Sequence, residues 1–493
     1  MELNRGYTRI EAARPGGSSG ALFGATLPAS SPEPRGTIRS SSHWKIEYLR
    51  SPFALSFVGL YLFTLLLYMR PNDIFPDELG TFPLVKIVAI TTLVMYSASK
   101  LMRKQAMTFW PLELKCLLLM MAIGVFLIPL ASNRQDSIDK LSDSLEKVAI
   151  IFVLIINLVD TRPRLIRMLD LLIICGAILA VAAIHSYTAG QYLVKDKGVG
   201  VRIAGIVGGI FGNPNDLATA LDMLVPFSVI RALGSKGPLR VFYLTMSALM
   251  ALAVVFTFSR GGFLGLVAAG GFMIWKLGRH NRAAIVLGSV ILVSVVLLSV
   301  PNGYGARLGS ILHIQNDATG SAQERQELMA KALNVAAHHP ILGVGLGNFH
   351  IYSIHEKAAH NSYLETAAEL GIVGFLAYLA IIFGPLKKLN VVQGRLRRRR
   401  LANTPLSSAD SEVYYLSVGL QATLVAYMVC SFFASIEYNW YLYYPAAFAI
   451  ALFRIETLGQ AFQRSVPQKG AIWSRRVPFR AAYGGTRQND LAG

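Results

Sequence analysis

Charge is what this sequence has least of. Only 15% of its 493 residues are Asp, Glu, Lys or Arg, against about 25% in a typical soluble domain. With 53% hydrophobic residues and a mean hydropathy of +0.47, this excludes an ordinary water-soluble enzyme and a disordered chain. Cysteine is scarcer still. Cys116, Cys175 and Cys430 each lie in an apolar run, which excludes a disulfide scaffold and a thiolate metal site. Residues 1–43 are rich in Gly, Ser, Pro and Arg and contain no apolar run of signal-peptide length. There is no Walker-type lysine, no zinc-type histidine pair and no Gly-x-Ser-x-Gly elbow.

What the chain has in quantity is long apolar runs. Twelve are of a length to cross a hydrocarbon core as helices, for which about 20 residues is usual. They lie near 53–70, 83–99, 113–130, 147–160, 165–187, 217–233, 239–257, 261–276, 283–300, 372–386, 413–434 and 438–455. The fourth is short and the sixth carries Asp222. Ile203–Gly212 is apolar but Gly-rich, and reads as a re-entrant or interfacial segment. The fold class expected is an all-α polytopic membrane protein of about 12 spans.

Acidic residues number 28 against 47 basic ones, a formal charge of +19. With the N-terminus inside, most of the basic residues fall on the cytoplasmic side, including Lys387, Lys388, Arg395 and Arg397–Arg400. The positive charge is therefore read as a topology signal directed at anionic membrane lipid, not nucleic acid. The expected organisation is a disordered cytoplasmic tail over 1–50, spans 1–9 over 51–300, an extracytoplasmic loop over 301–371, spans 10–12 over 372–456 and a cytoplasmic tail over 457–493. Within the loop, Ser321-Ala-Gln-Glu324 has a capping-box pattern ahead of a helix to about Ala337. His338-His339-Pro340 ends that helix, Gly343-Val-Gly345-Leu-Gly347-Asn348 makes a turn, and a further helix over Tyr363–Gly371 runs into span 10.

Polar groups near membrane depth are the default functional candidates. Arg260, between two spans on the outer side, offers a guanidinium fork suited to phosphate, and Gly261 and Gly262 beside it leave room for a large head group. It reads equally as a snorkelling interfacial anchor. Arg202 is a second outer cation or an ordinary loop arginine, and Asn213-Pro-Asn215-Asp216 follows it. His360 can accept a proton near neutral pH, with Asn361 and Glu365 near enough in sequence to orient it. As a structural histidine it has competitors of the same type in His338, His339, His350 and His355. Glu365 and Glu369 are spaced i,i+4, as on any solvated helix.

Taken in order, Arg202 with Gly212-Asn-Pro-Asn215, Ser259-Arg260-Gly261-Gly262, Glu324-Arg325, Gly343-Val-Gly345 with Asn348-Phe349, and His360-Asn361-Ser-Tyr-Leu364 with Glu369-Leu-Gly371 and Gly374 resemble the O-antigen ligase and polymerase family. The motifs span about 200–380, and Gly262 stands where the family often has alanine. The resemblance implies extracytoplasmic glycosyl transfer at a bacterial inner membrane. The donor would be an undecaprenyl-diphosphate-linked oligosaccharide; the acceptor would be a lipid-linked glycan, a lipid A core or a protein hydroxyl. Polymerisation of O-antigen or exopolysaccharide repeats is the preferred outcome, with an inverting, metal-independent reaction, no cofactor, and a chain-length regulator or export machinery as further partners. On this reading Arg260 and Arg202 hold the donor diphosphate and His360 is the catalytic residue. Arg325, Asn361, Glu365, Glu369 and Asn215 are supporting or substrate contacts, Arg325 serving equally as the partner of an acid on its helix. A flippase or secondary transporter is the rival reading. The internal repeats and broken midplane helices of such transporters are not evident in the sequence.

Overall fold

A computed structural model describes residues 53–80, 82–190, 193–196, 200–203, 211, 213–278, 321–401 and 407–465. Helices dominate. In chain order they are α1 Ala54–Met69, α2 Leu84–Met102, α3 Leu112–Leu127, α4 Arg134–Lys140, α5 Glu146–Leu158 and α6 Arg162–Thr188. After the antiparallel ribbon of β1 Leu193–Asp196 and β2 Gly200–Ile203 come α7 Pro214–Gly234, α8 Pro238–Phe256 and α9 Arg260–Gly278. The series ends with α10 Ser321–His338, α11 Ser362–Leu401, α12 Ser408–Cys430 and α13 Trp440–Ser465.

Among the described residues nine helices are long and apolar enough to cross a membrane, so the all-α polytopic class expected from the sequence holds, with one small ribbon added. Two other expected spans are helices that fall short of that standard. The fourth is α5, only 13 residues long, which continues from α4 through a π-helical turn at Leu141–Leu145. The twelfth is α13, which carries Pro445 and extends to Ser465, past the expected end of the span. Both are buried among other helices, so hydropathy alone describes them poorly. The ninth span, 283–300, the tail 1–50, loop residues 301–320 and nearly all of Ile203–Gly212 lie outside the described residues.

Chain-end chemistry starts and stops these helices. The Asn133 side chain accepts the amides of Gln135 (3.0 Å) and Asp136 (3.4 Å) to cap α4. Asn213 caps α7 by accepting the Asn215 amide at 2.9 Å, with Pro214 at the first helical position. Ser407 and Asp410 form a reciprocal capping box on α12. Of the candidate spans, α7 is the most enclosed and α2 the least. The span that looked weakest because of Asp222 is therefore the centre of the bundle. It packs on α8 and α12, and Asp222 is fully buried.

The loops that the sequence assigns to one side meet at one end. Asn133 bonds Asn348, the Ser362 amide donates to the Ser431 carbonyl at 2.8 Å, and the Ser362 hydroxyl donates to the Ala434 carbonyl at 2.7 Å. The basic segments meet through Arg162 with Glu456 and Arg399 with Asp410. Within α11, Gly371 takes φ 64° and ψ −170°, breaking the helix where the expected loop gives way to span 10. The Ile372 amide then donates to the Pro340 carbonyl at 2.8 Å, tying this break to the end of α10.

Candidate active site

His360 sits at the tip of a bend before α11 with φ 51°, a left-handed conformation that a non-glycine residue rarely holds without support. The support comes from both sides. Asn361, buried, caps α11 by accepting the amides of Tyr363 (3.0 Å) and Leu364 (3.1 Å). Glu365 reaches back one turn, and its Oε2 accepts the Ala359 amide at 2.9 Å and the Ser435 hydroxyl. Asn361 and Glu365 thus shape the backbone around His360, where the sequence suggested that they orient its ring. Burial, then the Arg325 guanidinium, push the imidazole down to about 4; Glu324 pulls upward and Lys357 downward by smaller amounts. His360 is neutral at physiological pH.

Arg325 lies on the first turns of α10, which packs along α11. It joins Asn215, Thr219, Ser259, Gly261 and Gly262 around a cavity of about 10 Å³, the size of one water. Glu324 pairs with Lys357 on the His360 loop; the capping box expected at Ser321 involves a side chain outside the described residues. Arg260, half-buried, opens α9 behind a tight turn in which Ser259 Oγ accepts the Gly262 amide at 3.2 Å. Arg325, Asn215 and the Arg260 turn are therefore assembled in one place, and Arg325 links them electrostatically to His360. Arg202 lies on β2, opposite Val194; its side chain is outside the described residues.

Glu369 points into the same end, one turn below Glu365. Its Oε2 accepts the Tyr438 hydroxyl at 2.9 Å and its Oε1 the Phe349 amide at 3.3 Å. Around it the Gly343–Gly347 turn, with positive φ at Gly343, Gly345 and Gly347, lays its amides on α11: Val344 N–H donates to the Ala368 carbonyl and Gly345 N–H to that of Glu369. This turn is a brace between loop and helix. Asn348 completes it with four hydrogen bonds, to Asn133, Ser137 and Leu346.

Residues that sequence reading passed over complete this end. Lys140, the last residue of α4, lies 5.5 Å from the Tyr438 ring centroid. Burial works to lower its pKa, but Glu437, Glu369 and Glu365 together outweigh that and hold the ammonium above its ordinary value. Glu437 is buried, with Oε2 lacking a hydrogen-bond partner among the described residues. Burial and the neighbouring Glu365 hold its carboxyl well above the usual carboxylate range, and Lys140 works the other way. Beside them a cavity of about 450 Å³ runs from Glu365 and Glu369 out to Asp136, Asp139, Lys140 and Asp143. One signal was present in the sequence: 136, 139, 140 and 143 recur at helical spacing on one face. Among the described residues no group of three His, Cys, Asp or Glu side chains is placed to hold a metal ion.

These features define a multi-pass membrane protein with a polar site gathered at one end of its helices. Residues 245–379 match the family model described as O-antigen ligase, so the resemblance carried by the motifs holds over that segment. It contains Arg260, Arg325, His360, Asn361, Glu365 and Glu369; Arg202, Asn215, Lys140 and Glu437 lie outside it. No curated protein matches the chain. What the match supports over that segment is a similarity to O-antigen ligases, a family of glycosyltransferase type whose substrates are lipid-linked glycans.

Proposed function

We propose that the protein transfers an oligosaccharide from undecaprenyl diphosphate to an acceptor hydroxyl at the outer face of a bacterial inner membrane, polymerising O-antigen or exopolysaccharide repeats. The observation that carries this reading is the placement of a neutral His360 in the field of Arg325, which in turn lines a cavity with Asn215 and the Ser259–Gly262 turn. Arg260 and Arg202 bind the donor's diphosphate, and Arg325 lies close enough to His360 to act on the base. The acceptor O–H gives its proton to a His360 ring nitrogen. The oxygen forms the new bond at the anomeric carbon from the face opposite the diphosphate. The old C–O bond breaks and its electron pair leaves on the diphosphate, inverting the centre. The guanidinium groups stabilise the charge growing on that leaving group, so the scheme asks for neither nucleotide nor metal.

The depressed pKa of His360 has a use in this scheme. A group held near 4 is a weak base, but part of the depression comes from Arg325. A diphosphate dianion beside Arg325 offsets that positive field and raises the basicity of His360 when donor is bound. Proton abstraction is thereby tied to donor occupancy. General-base assistance of this kind contributes about 10²–10⁴-fold.

The test is a proteoliposome assay with purified protein and lipid-diphosphate-linked oligosaccharide, without added nucleotide. A ladder of longer chains that vanishes in His360→Ala supports polymerisation. Product only after addition of a lipid A core or a protein acceptor turns the reading to ligase or protein glycosylation. Movement of intact lipid-linked sugar across the bilayer with no new glycosidic bond would replace the scheme with a transporter.

A further inference from the structure

The mechanism above makes no use of Lys140, Glu369 or the cavity of about 450 Å³ they line. That volume lies within the usual range for small-ligand sites, about 300–1,000 Å³, yet its lining is unlike an apolar ligand pocket. Glu365 and Glu369, both more than nine-tenths buried, form its inner end. Among the described residues Glu365 spends only Oε2, on the Ala359 amide and the Ser435 hydroxyl. Lys140 lines the same cavity with its ammonium over the Tyr438 ring, and none of its three N–H donors is spent on a hydrogen bond or ion pair among the described residues. A largely enclosed lysine with unspent donors beside a carboxylate oxygen with unspent acceptor capacity is a paired donor and acceptor waiting for a polar ligand.

The charge around this pair narrows the ligand. Asp136, Asp139 and Asp143 stand along the rim, and among the described residues that line the cavity only Lys140 is a permanent cation. Asp136 lies 3.3 Å from His350, Asp139 accepts the Gln135 side chain, and Asp143 pairs with Lys147. The surplus of carboxylates repels an anionic ligand. A divalent cation is disfavoured at the inner end, where the Lys140 ammonium already supplies the positive charge among Glu365, Glu369 and Glu437. Vicinal hydroxyls fit both halves: they donate to carboxylates and accept from an ammonium, without net charge. Ala358 lines this cavity, two residues before His360, so a ligand in it sits beside the loop that carries the proposed base.

We propose that this cavity is the acceptor-sugar subsite, and that it admits neutral or amino-bearing sugars while excluding those that carry a carboxylate or phosphate. The assignment of an acceptor role rests on the proposed glycosyl transfer; the preference for uncharged or cationic sugars rests on the cavity alone.

Binding and transfer can be measured separately. Purified protein in nanodiscs is titrated calorimetrically at pH 7 with chitotriose, its de-N-acetylated form and trigalacturonate. The first two are expected to bind, and trigalacturonate to bind at least about tenfold more weakly. Lys140→Gln should weaken chitotriose by about tenfold. The double change Asp139→Asn with Asp143→Asn touches only exposed rim residues and should narrow the gap to trigalacturonate by about threefold. Lys331→Ala, on the exposed face of α10, should move neither. Trigalacturonate binding as tightly as chitotriose overturns the proposal. So does unchanged affinity in Lys140→Gln, or failure of all three probes to bind a protein with a normal melting curve. Chain lengthening is read in the same nanodiscs. If sugars bind as expected but no glycosidic bond forms, the subsite stands and the transfer reading falls; if chains lengthen while binding ignores Lys140 and the rim, the reverse holds.

Discussion

Asn348 and Asn133 clasp each other across the site end of the molecule: the Asn133 amide donates to Asn348 Oδ1 at 2.7 Å, and Asn348 Nδ2 donates back to the Asn133 carbonyl at 3.1 Å. Asn133 is also the cap of α4. A single buried side chain therefore holds the helix that ends in Lys140 against the turn that braces α11. Asn348→Leu leaves the Asn133 and Ser137 polar groups without this partner, which costs about 1–3 kcal/mol for each group left buried and unsatisfied. A melting temperature several degrees below wild type is expected in detergent. A melt indistinguishable from wild type would show that the clasp contributes nothing to stability.

His360 gives a prediction with a definite sign. Its pKa is about 4 in the folded protein against an ordinary 6.5. Above about 6.5 the ring is neutral in both folded and unfolded chains and favours neither. As pH falls from 6.5 toward 4 the unfolded chain takes up the proton first, so stability is lost across that window, by on the order of 2–3 kcal/mol in total. His360→Gln should remove this component. Thermal melts of both proteins at pH 7 and pH 4.5 measure it, and an equal drop in the two would place the acid sensitivity elsewhere.

Because the Arg325 guanidinium is the second cause of that depression, Arg325→Met should raise the His360 pKa. The acid limb of a pH–rate profile, or the titration of His360 by NMR in isotope-labelled protein, should move upward by a fraction of a unit to about one unit. An unmoved titration would uncouple the two residues.

Arg260→Lys keeps the positive charge but loses the planar fork that holds a diphosphate at two points. The transfer rate should fall by about tenfold or more while the protein remains in the membrane at normal level. Wild-type turnover by the lysine variant would reduce Arg260 to an anchor at the interface.

Gly371 is where the backbone of α11 turns aside, at φ 64° and ψ −170°. A Cβ there would run into the Ile341 carbonyl, so Gly371→Ala combines a disfavoured conformation with a backbone clash. Loss of about 2 kcal/mol or more is expected, read as poor accumulation and a lowered melting temperature. Gly374→Ala does not test the same thing, since its Cβ would clash with Leu370 Cβ and no left-handed backbone is involved.

Sequence alone determined the membrane class and most of the spans, and singled out candidate residues of unusual chemical type, because each depends on composition over a short stretch. An arginine between two apolar runs, or a histidine beside a helix cap, is visible without knowing what lies across the bundle. The short α5 and the proline-bearing α13 were harder to delimit. Hydropathy measures transfer to lipid, whereas these helices are enclosed by protein, where length and apolarity are less constrained.

Only the tertiary structure decided which polar groups meet. Sequence reading passed over Lys140, Asp136 and Glu437. Their placement with Glu365 and Glu369 follows from α4 docking on the Gly343–Gly347 turn and from the α12–α13 loop packing over the start of α11. In the same way Arg325 came to Asn215 and the Arg260 turn because α10 lies along α11. Electrostatic and hydrogen-bond partners act over a few ångströms of space, and local pattern does not encode which distant segments come that close.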